Sequence, residues 1–234
     1  MLGELKNFLD AILKWLIGLV LLASIFFFLG WAASFFTMIR EDLVPVEVKL
    51  MTTNPFDAFL AEIKVAFFLA LVFLLPALLW SLLRYLSPAL KQRERQALYR
   101  VVIPAAALFF AGCFFAYRLI IPATISLLYS YTDRIGAAAF FAVSDFVSLT
   151  LAFMLVTGLI FLLPIFMFLS SVSDLIKAQF WLAHWRQAIL VFVVGAAVIT
   201  PDGTGITMIL LLVPLCFLYA LGLLASQWYN RGVA

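Results

Sequence analysis

Long apolar runs alternate with short polar stretches along the whole chain. A window of about 20 apolar residues is long enough to cross a bilayer as a helix. Within lipid every backbone N–H and C=O must find a partner inside the protein, so these runs are predicted to be helical. Transmembrane helices are predicted at about 14–36, 63–83, 101–121, 146–169, 187–200 and 206–226.

Turns and prolines refine this pattern. The last two predicted helices are short and are separated only by PDGTG, residues 201–205, which is typical of a tight turn. Prolines within or beside the runs are expected to kink the helices, either for packing alone or to give a concave surface. These prolines are Pro76, Pro104, Pro122, Pro164 and Pro214. The predicted fold is an all-α polytopic membrane protein of six kinked helices forming one domain, residues 1–234.

Composition supports this class. The chain is 67% hydrophobic and 12% charged, whereas about a quarter of the residues in a soluble domain are charged. A net charge of +3 is too small to indicate nucleic-acid binding. Cys113 and Cys216 both lie in apolar runs, which indicates neither a disulfide framework nor a metal site.

The basic residues predict the orientation. The first apolar run, from Leu13 to Phe36, exceeds the 7–15 residues of a signal-peptide core, and Glu4 and Asp10 spoil a basic leader, so a retained helix is favoured over a cleaved one. With the N-terminus inside, most Lys and Arg residues fall on the cytoplasmic side, as the positive-inside rule requires. Both termini are then cytoplasmic, and the longest outer loops are 37–58 and 122–145.

Few residues could carry catalysis. His184 is the only histidine, and the chain has no nucleophile–histidine–acid pattern, glycine-rich phosphate loop or metal-ligand cluster. No enzyme activity, cofactor or metal is therefore predicted.

Four charged residues lie within or beside the apolar runs, where each costs several kcal/mol. They are Glu62, Lys64, Arg118 and Asp202. Glu62 and Lys64 are near an outer end, where snorkelling would solvate them. Arg118 would need a partner such as Asp145 or an outer aqueous cavity. Asp202 fits a turn residue better than a proton carrier.

The densest basic stretch, YLSPALKQRERQAL at 85–98, contains one acid, Glu94. The neighbouring arginines would keep this carboxylate ionised. It could form only a local ion pair of a few tenths of a kcal/mol. Alternatively, Glu94 and the N-terminal Glu4 could each accept a guanidinium bidentately. Composition leaves both interpretations open.

Several stretches resemble motifs of the TatC family, the receptor subunit of the twin-arginine protein translocase. PFDAFLAEIK at 55–64 is similar to the pattern P-T-E-A-F-x-x-x-x-K, with Asp57 in place of Glu and Lys64 matching. Within 74–98, Pro76, Pro88, Ala89, Leu90 and Glu94 match the family's Pro-Ala-Leu block. FFAYRLIIP, DFVSLTLAF, VITPDGTGITMILLLVPL and LGELKNFL resemble further family segments along the chain.

This resemblance implies a receptor that binds twin-arginine signal peptides of folded cargo at the cytoplasmic face. The implied signal-peptide-binding residues are Glu4, Lys6, Tyr85 and Glu94, with Pro88, Arg93 and Arg95 supporting the cytoplasmic loop. The implied partners are single-span TatA/TatB-type proteins in an oligomeric complex, driven by the protonmotive force. The implied location is a bacterial inner membrane.

The chain departs from the family pattern at several positions. Lys6 and Phe8 replace N-terminal arginines, and Lys is not equivalent to Arg at a bidentate site. Leu162, Ile206 and Ala220 stand where the family usually has polar residues. Signal-peptide recognition is therefore expected to be better retained than translocation.

Two other hypotheses stay open. One is a TatC-derived structural subunit of another membrane complex, with reduced or no translocation activity. The other is a small secondary transporter using Arg118 and Asp202, although no inverted repeat stands out.

Overall fold

The computed structural model describes most of the chain. Described are residues 2–44, 49–52, 54–86, 92–134, 140–173, 175–199 and 205–233, with side chains over 13–44, 50–52, 54–81, 101–132, 140–173, 175–177, 179–198 and 205–228. The elements in chain order are α1 (Leu2–Phe28), α2 (Trp31–Leu43), β1 (Lys49–Met51), α3 (Asp57–Leu86), α4 (Gln92–Phe115), a π-helical turn (Ala116–Ile120), α5 (Ile121–Arg134), β2 (Phe140–Ala142), α6 (Val143–Phe161), α7 (Leu163–Val172), α8 (Ala178–Ala183), α9 (Trp185–Ile199) and α10 (Ile206–Val233).

Four helices in the described ranges are long and apolar enough to cross a membrane. They are Asp57–Ser81, Val101–Thr132, Val143–Val172 and Ile206–Trp228, and each overlaps a predicted span. A fifth is present if α1 and α2 count as one bent span. The prediction that the last two helices are short is right for α9, with 15 residues, and wrong for α10, with 28. Nothing between Trp228 and Gly232 breaks a helix, so α10 continues past its apolar part.

The predicted first span, about 14–36, is not one straight helix. α1 ends at Phe28, and α2 leaves at 71° to it. Gly30 lies between them with φ of +73°, a left-handed conformation that glycine adopts at little cost. The Phe26 ring stacks on Trp31 across the bend, with centroids 5.4 Å apart. A single glycine in an apolar run is a weak signal, which is why hydropathy missed the bend.

The helix that follows α4 passes through Pro122 without ending. Proline has no N–H for the i→i−4 ladder and clashes with the preceding turn. Here the turn before it widens, and the Ile121 N–H donates to the carbonyl of Ala116, five residues back. The expected irregularity at Pro122 is thus a π-helical turn.

A second proline coincides with a helix break. α6 and α7 are separated at Leu162, whose N–H donates to the Leu159 carbonyl at 3.1 Å, and Pro164 lies in the first turn of α7. Pro76, Pro104 and Pro214 instead lie inside helices.

The chain divides into two compact units, Met1–Leu79 with Ala138–Leu151, and Trp80–Ala137 with Ala152–Ala234. The prediction of one domain stays a prediction. In the first unit β1 and β2 pair in parallel, with Leu50 opposite Phe141. The helical pattern gave no sign of these strands, since three residues are too few to establish an alternation. Ile39, Val65 and Val147 are fully buried in this unit.

The second unit is built on a close helix crossing. Gly112 in α4 faces Gly158 in α6, and a Cβ atom placed on Gly112 would lie 2.8 Å from the Gly158 Cα. Small residues allow membrane helices to approach this closely. The fully buried Phe109 and the Cys113 thiol, which donates to the Met154 carbonyl at 3.4 Å, lie beside the crossing. α10 packs on α7 and α9 in the same unit.

Candidate functional site

The start of α3 is fixed by a reciprocal pair of hydrogen bonds. The Asn54 N–H donates to Asp57 Oδ2 at 2.8 Å, and the Asp57 N–H donates to the Asn54 carbonyl at 3.0 Å. The carboxylate of Asp57, the first residue of α3, thus satisfies an N–H just before the helix, as the acid of a capping box does, while Asn54 accepts through its backbone carbonyl and not through its side chain. The shorter Asp57 carboxylate can therefore make the cap that the motif's Glu would make.

Lys64, two turns further along α3, is part-buried and bonded to α6. Its Nζ donates to Ser144 Oγ at 2.7 Å and to Ser148 Oγ at 2.8 Å. Ser148 Oγ in turn donates to the Ser144 carbonyl at 2.7 Å. The two serines are four residues apart and so share one helix face. Lys64 is thus held by neutral hydroxyls, and snorkelling to water is not needed to explain its position.

The other predicted polar positions fall at different places. Arg118 lies in the π-helical turn with an exposed side chain, and Asp145, its suggested partner, is exposed in the first turn of α6. Asp202 lies outside the described residues. The predicted roles of Arg118 and Asp202 therefore stay predictions.

The predicted signal-peptide residues are described only by their backbone. Glu4 and Lys6 lie in the first two turns of α1, and Tyr85 lies in the last turn of α3. Glu94 lies in the first turn of α4, where the helix dipole favours a carboxylate. Their side chains are outside the described residues, so the predicted convergence of Glu4 and Glu94 stays a prediction.

The residues predicted to support the cytoplasmic loop are described in part. Arg93 and Arg95 flank Glu94 in the first turn of α4. Pro88 lies outside the described residues. Of this cytoplasmic loop region, the structure describes the end of α3 at Leu86 and the start of α4 at Gln92.

An apolar cavity of about 520 Å³ lies in the second unit, where the α6–α7 break faces α9 and α10. Its lining includes Leu162, Phe166, Val191, Phe192, Leu211 and Leu215. Of the three positions at which the sequence departs from the polar residues of the resembled pattern, Leu162 lies in this lining. Ile206 is 62% exposed and Ala220 is also exposed, and neither lines this cavity.

Aromatic contacts join the cavity wall to the α8–α9 segment. The ring centroid of Phe166 is 6.2 Å from that of Trp181, and the ring centroid of Phe192 is 5.7 Å from that of Tyr219. The Tyr219 hydroxyl donates to the Trp181 carbonyl at 2.6 Å. His184 is exposed, and its Nδ1 lies 2.8 Å from the Phe180 carbonyl.

Comparison with known proteins decides the family. Residues 4–214 match the family model described as Sec-independent protein translocase protein (TatC). The chain belongs to the TatC family. It is 36% identical over 200 residues to the TatC protein of Cenarchaeum symbiosum, covering 86% of this chain and 76% of that protein.

Other TatC relatives extend this likeness. The Carboxydothermus hydrogenoformans protein is 25% identical, with 83% of this chain and 79% of that protein covered. The chloroplastic protein of Pisum sativum is 30% identical, with 74% of this chain and 48% of that protein covered. These proteins are named Sec-independent protein translocase proteins, so this TatC chain is a multi-pass membrane component of a protein translocase and does not belong to an enzyme family.

Solved structures agree with the fold. A crystal structure of the twin-arginine translocase receptor TatC superposes with a TM-score of 0.79 at 22% identity, covering 97% of this chain and 99% of that one. A second, in the detergent DDM, gives 0.80 at 23% identity, with 95% and 98% covered. The predicted TatC-like helical fold is therefore confirmed.

Proposed function

We propose that this TatC protein is the subunit that binds twin-arginine signal peptides at the cytoplasmic face and assembles with single-span TatA/TatB-type partners. In this proposal Glu4 and Glu94 each accept one guanidinium, while Lys6 and Tyr85 contact the flanking peptide. Family membership supports the proposal most directly.

The charges of the two segments support the assignment of the carboxylates. A carboxylate takes a guanidinium through two parallel hydrogen bonds, which gives both energy and geometric selectivity. Glu94 is surrounded in sequence by Lys91, Arg93 and Arg95, which favour its ionised form. Lys6 would contribute a point charge, since its ammonium cannot form the planar fork of an arginine.

The order of crossings supports placing both acids on one side of the membrane. If α1 and α3 each cross once, the chain returns at Leu86 to the side where it began at Leu2. Lys and Arg are concentrated on that side, which makes it the cytoplasmic one. We place the protein in a bacterial inner membrane with both termini cytoplasmic, exporting folded proteins at the expense of the protonmotive force.

Export of a folded reporter tests this proposal. Glu94→Gln and Glu4→Gln keep side-chain size and remove the charge, so each should lower export of a folded twin-arginine reporter at least tenfold. Glu41→Gln, an exposed acid in α2, is the matched control and should leave export unchanged. Protein levels in the membrane are measured alongside. Normal export by both Glu4 and Glu94 variants at normal protein levels would refute the proposed site.

A signal-peptide crosslink tests the same site without requiring transport. A photoreactive group at position 96, two residues from Glu94, should crosslink to a signal peptide with paired arginines, and replacement of both arginines by lysine should remove the crosslink. A crosslink that persists with the lysine peptide would contradict recognition of guanidinium groups.

The apolar cavity at Leu162 favours a second candidate, a TatC-derived structural subunit of another membrane complex. A lining without polar groups gives little to hold the polar residues of a translocase partner. Under this alternative the chain would purify with non-translocase proteins, and changes at Glu94 would not affect export. Leu162→Glu separates the two candidates. It should raise export if the loss of a polar group at this position limits transport, and it should leave export unchanged if the chain serves another complex.

A further inference from the structure

We propose that copies of this chain associate in the membrane through an ion pair between Glu62 of one copy and Arg118 of its neighbour. The pair joins the outer part of α3 in one copy to the π-helical turn after α4 in the other. The proposal does not depend on signal-peptide binding, because it concerns only contacts between copies.

Two charges inside the apolar spans have no partner among the residues that the structure describes. In the four described helices that are long enough to cross a membrane, the charged residues beyond the first helical turn are Glu62, Lys64 and Arg118. Lys64 is satisfied by its bonds to Ser144 and Ser148. Glu62 and Arg118 form no hydrogen bond or ion pair with any described residue. The two charges left over have opposite signs.

Both charges need a partner at membrane depth. A charged side chain among apolar groups is costly, and in membrane proteins such residues are almost always paired or in contact with water. Arg118 is exposed, and the exposed residues beside it, Phe114 and Leu119, are apolar. Glu62 is part-buried. A carboxylate takes a guanidinium through two parallel hydrogen bonds, so a second copy supplies what each residue lacks.

The two residues lie at similar depths. Counted from the arginines on either side of the loop between α3 and α4, Glu62 is 22 residues from Arg84 and Arg118 is 18 residues from Arg100. At about 1.5 Å per residue these lengths are about 33 Å and 27 Å, which is near the outer edge of a hydrocarbon core of about 30 Å. The difference is about one helix turn, within the combined reach of the two side chains. All copies insert in the same orientation, so residues at this depth can meet.

Each charge adjoins an exposed apolar face. On α3, Phe59 and Phe73 are exposed and lie three and eleven residues from Glu62, which places them on its side of the helix. On α4, Phe114 and Ile103 are exposed and lie four and fifteen residues before Arg118. Phe73, Phe114 and Ile103 are all on the inner side of the nearby charge. Two such faces can therefore pack by van der Waals contact below the ion pair.

Self-association in vesicles tests the pair. Two samples of the full-length protein, one carrying a donor fluorophore and the other an acceptor, are mixed in phosphatidylcholine vesicles, and energy transfer is followed as lipid is added. The unchanged protein should associate. Glu62→Arg and Arg118→Glu, each alone, bring like charges together and should weaken self-association at least tenfold.

Combining the variants separates the ion pair from a loss of folding. Glu62→Arg with Arg118→Glu in one chain restores opposite charges at the contact and should return association to within about threefold of the unchanged protein. A copy with Glu62→Arg should also associate with a copy with Arg118→Glu, although neither associates with itself. Asp145→Arg changes an exposed acid in the first turn of α6 and is the matched control, which should leave association unchanged.

Four results would overturn the proposal. The first is an unchanged protein that does not associate. The second is normal association in both single variants, which would leave Arg118 to lipid phosphates or to another membrane protein. The third is loss of association in the single variants without recovery in the mixed pair, which would show a structural effect. The fourth is loss of association in Asp145→Arg, which would assign the acid to α6.

Discussion

The crossing of Gly112 and Gly158 gives the sharpest stability prediction. A Cβ on Gly158 would lie 2.7 Å from Phe109 Cε2 and 2.9 Å from Cys113 Sγ, against 3.4–4 Å for ordinary contact. Phe109 is fully buried, so its ring cannot turn out to the surface to make room. Gly158→Ala must therefore shift a neighbouring side chain or helix by about 0.7 Å, relative to the lower contact limit.

The magnitude follows from overpacking, which costs about 1–3 kcal/mol in a close-packed core. Replacing glycine by alanine within a helix also raises the free energy of unfolding by about 0.5–1 kcal/mol. Gly18→Ala, where the new Cβ meets no atom within 4 Å, carries this gain alone and is the matched reference. Gly158→Ala should thus be less stable than Gly18→Ala by about 1–3 kcal/mol, a 5- to 150-fold change in the unfolding equilibrium.

The assay is equilibrium unfolding in mixed micelles, followed by tryptophan fluorescence with helix content as a second probe. Phe109→Leu, combined with Gly158→Ala, removes part of the clash, so the two changes together should cost less than their sum. Equal stability of the two alanine variants, or strict additivity with Phe109→Leu, would show that the helices do not approach this closely.

Three further predictions use the same measurement. Ser144→Ala with Ser148→Ala removes two charge-assisted hydrogen bonds and should lower the free energy of unfolding by about 2–4 kcal/mol. The loss should be much smaller when Lys64 has already been replaced by Met, and equal losses with and without Lys64→Met would contradict the contact. Gly30→Ala should cost about 1–2 kcal/mol because of its positive φ, whereas Gly30→Asn should cost less; equal costs would argue against a left-handed residue. Tyr219→Phe should cost about 1 kcal/mol by removing the bond to the Trp181 carbonyl, and no change would show that water replaces it.

The residues of the candidate site were predicted from sequence motifs, and the structure adds the helices in which they lie. Glu4 and Glu94 were predicted because bidentate recognition requires carboxylates and the family pattern has them in this order, and Tyr85 was predicted from the resemblance alone. The structure adds their helical context. Lys64 was identified as a charge near a helix end, but its serine partners are 80 and 84 residues away in sequence, and no local pattern links them.

The cavity illustrates the same limit. Leu162 was recognised as apolar where a polar residue is usual, and this depended on the resemblance to the family pattern. The sequence could not tell that Leu162 lies at a helix break beside α9 and α10 while Ile206 and Ala220 are exposed. That distinction depends on which faces of separate helices meet.

By itself the sequence determined the membrane class, the positions of the long helices and the family. Hydrocarbon admits only internally hydrogen-bonded segments, so hydrophobicity and length are sufficient to locate the helices. The tertiary structure alone decided the bend at Gly30, the π-helical turn before Pro122, the pairing of β1 with β2, and the Gly112–Gly158 crossing. Each of these rests on contacts between segments distant in sequence or on small backbone adjustments, and in an almost uniformly apolar chain neither leaves a periodic signal.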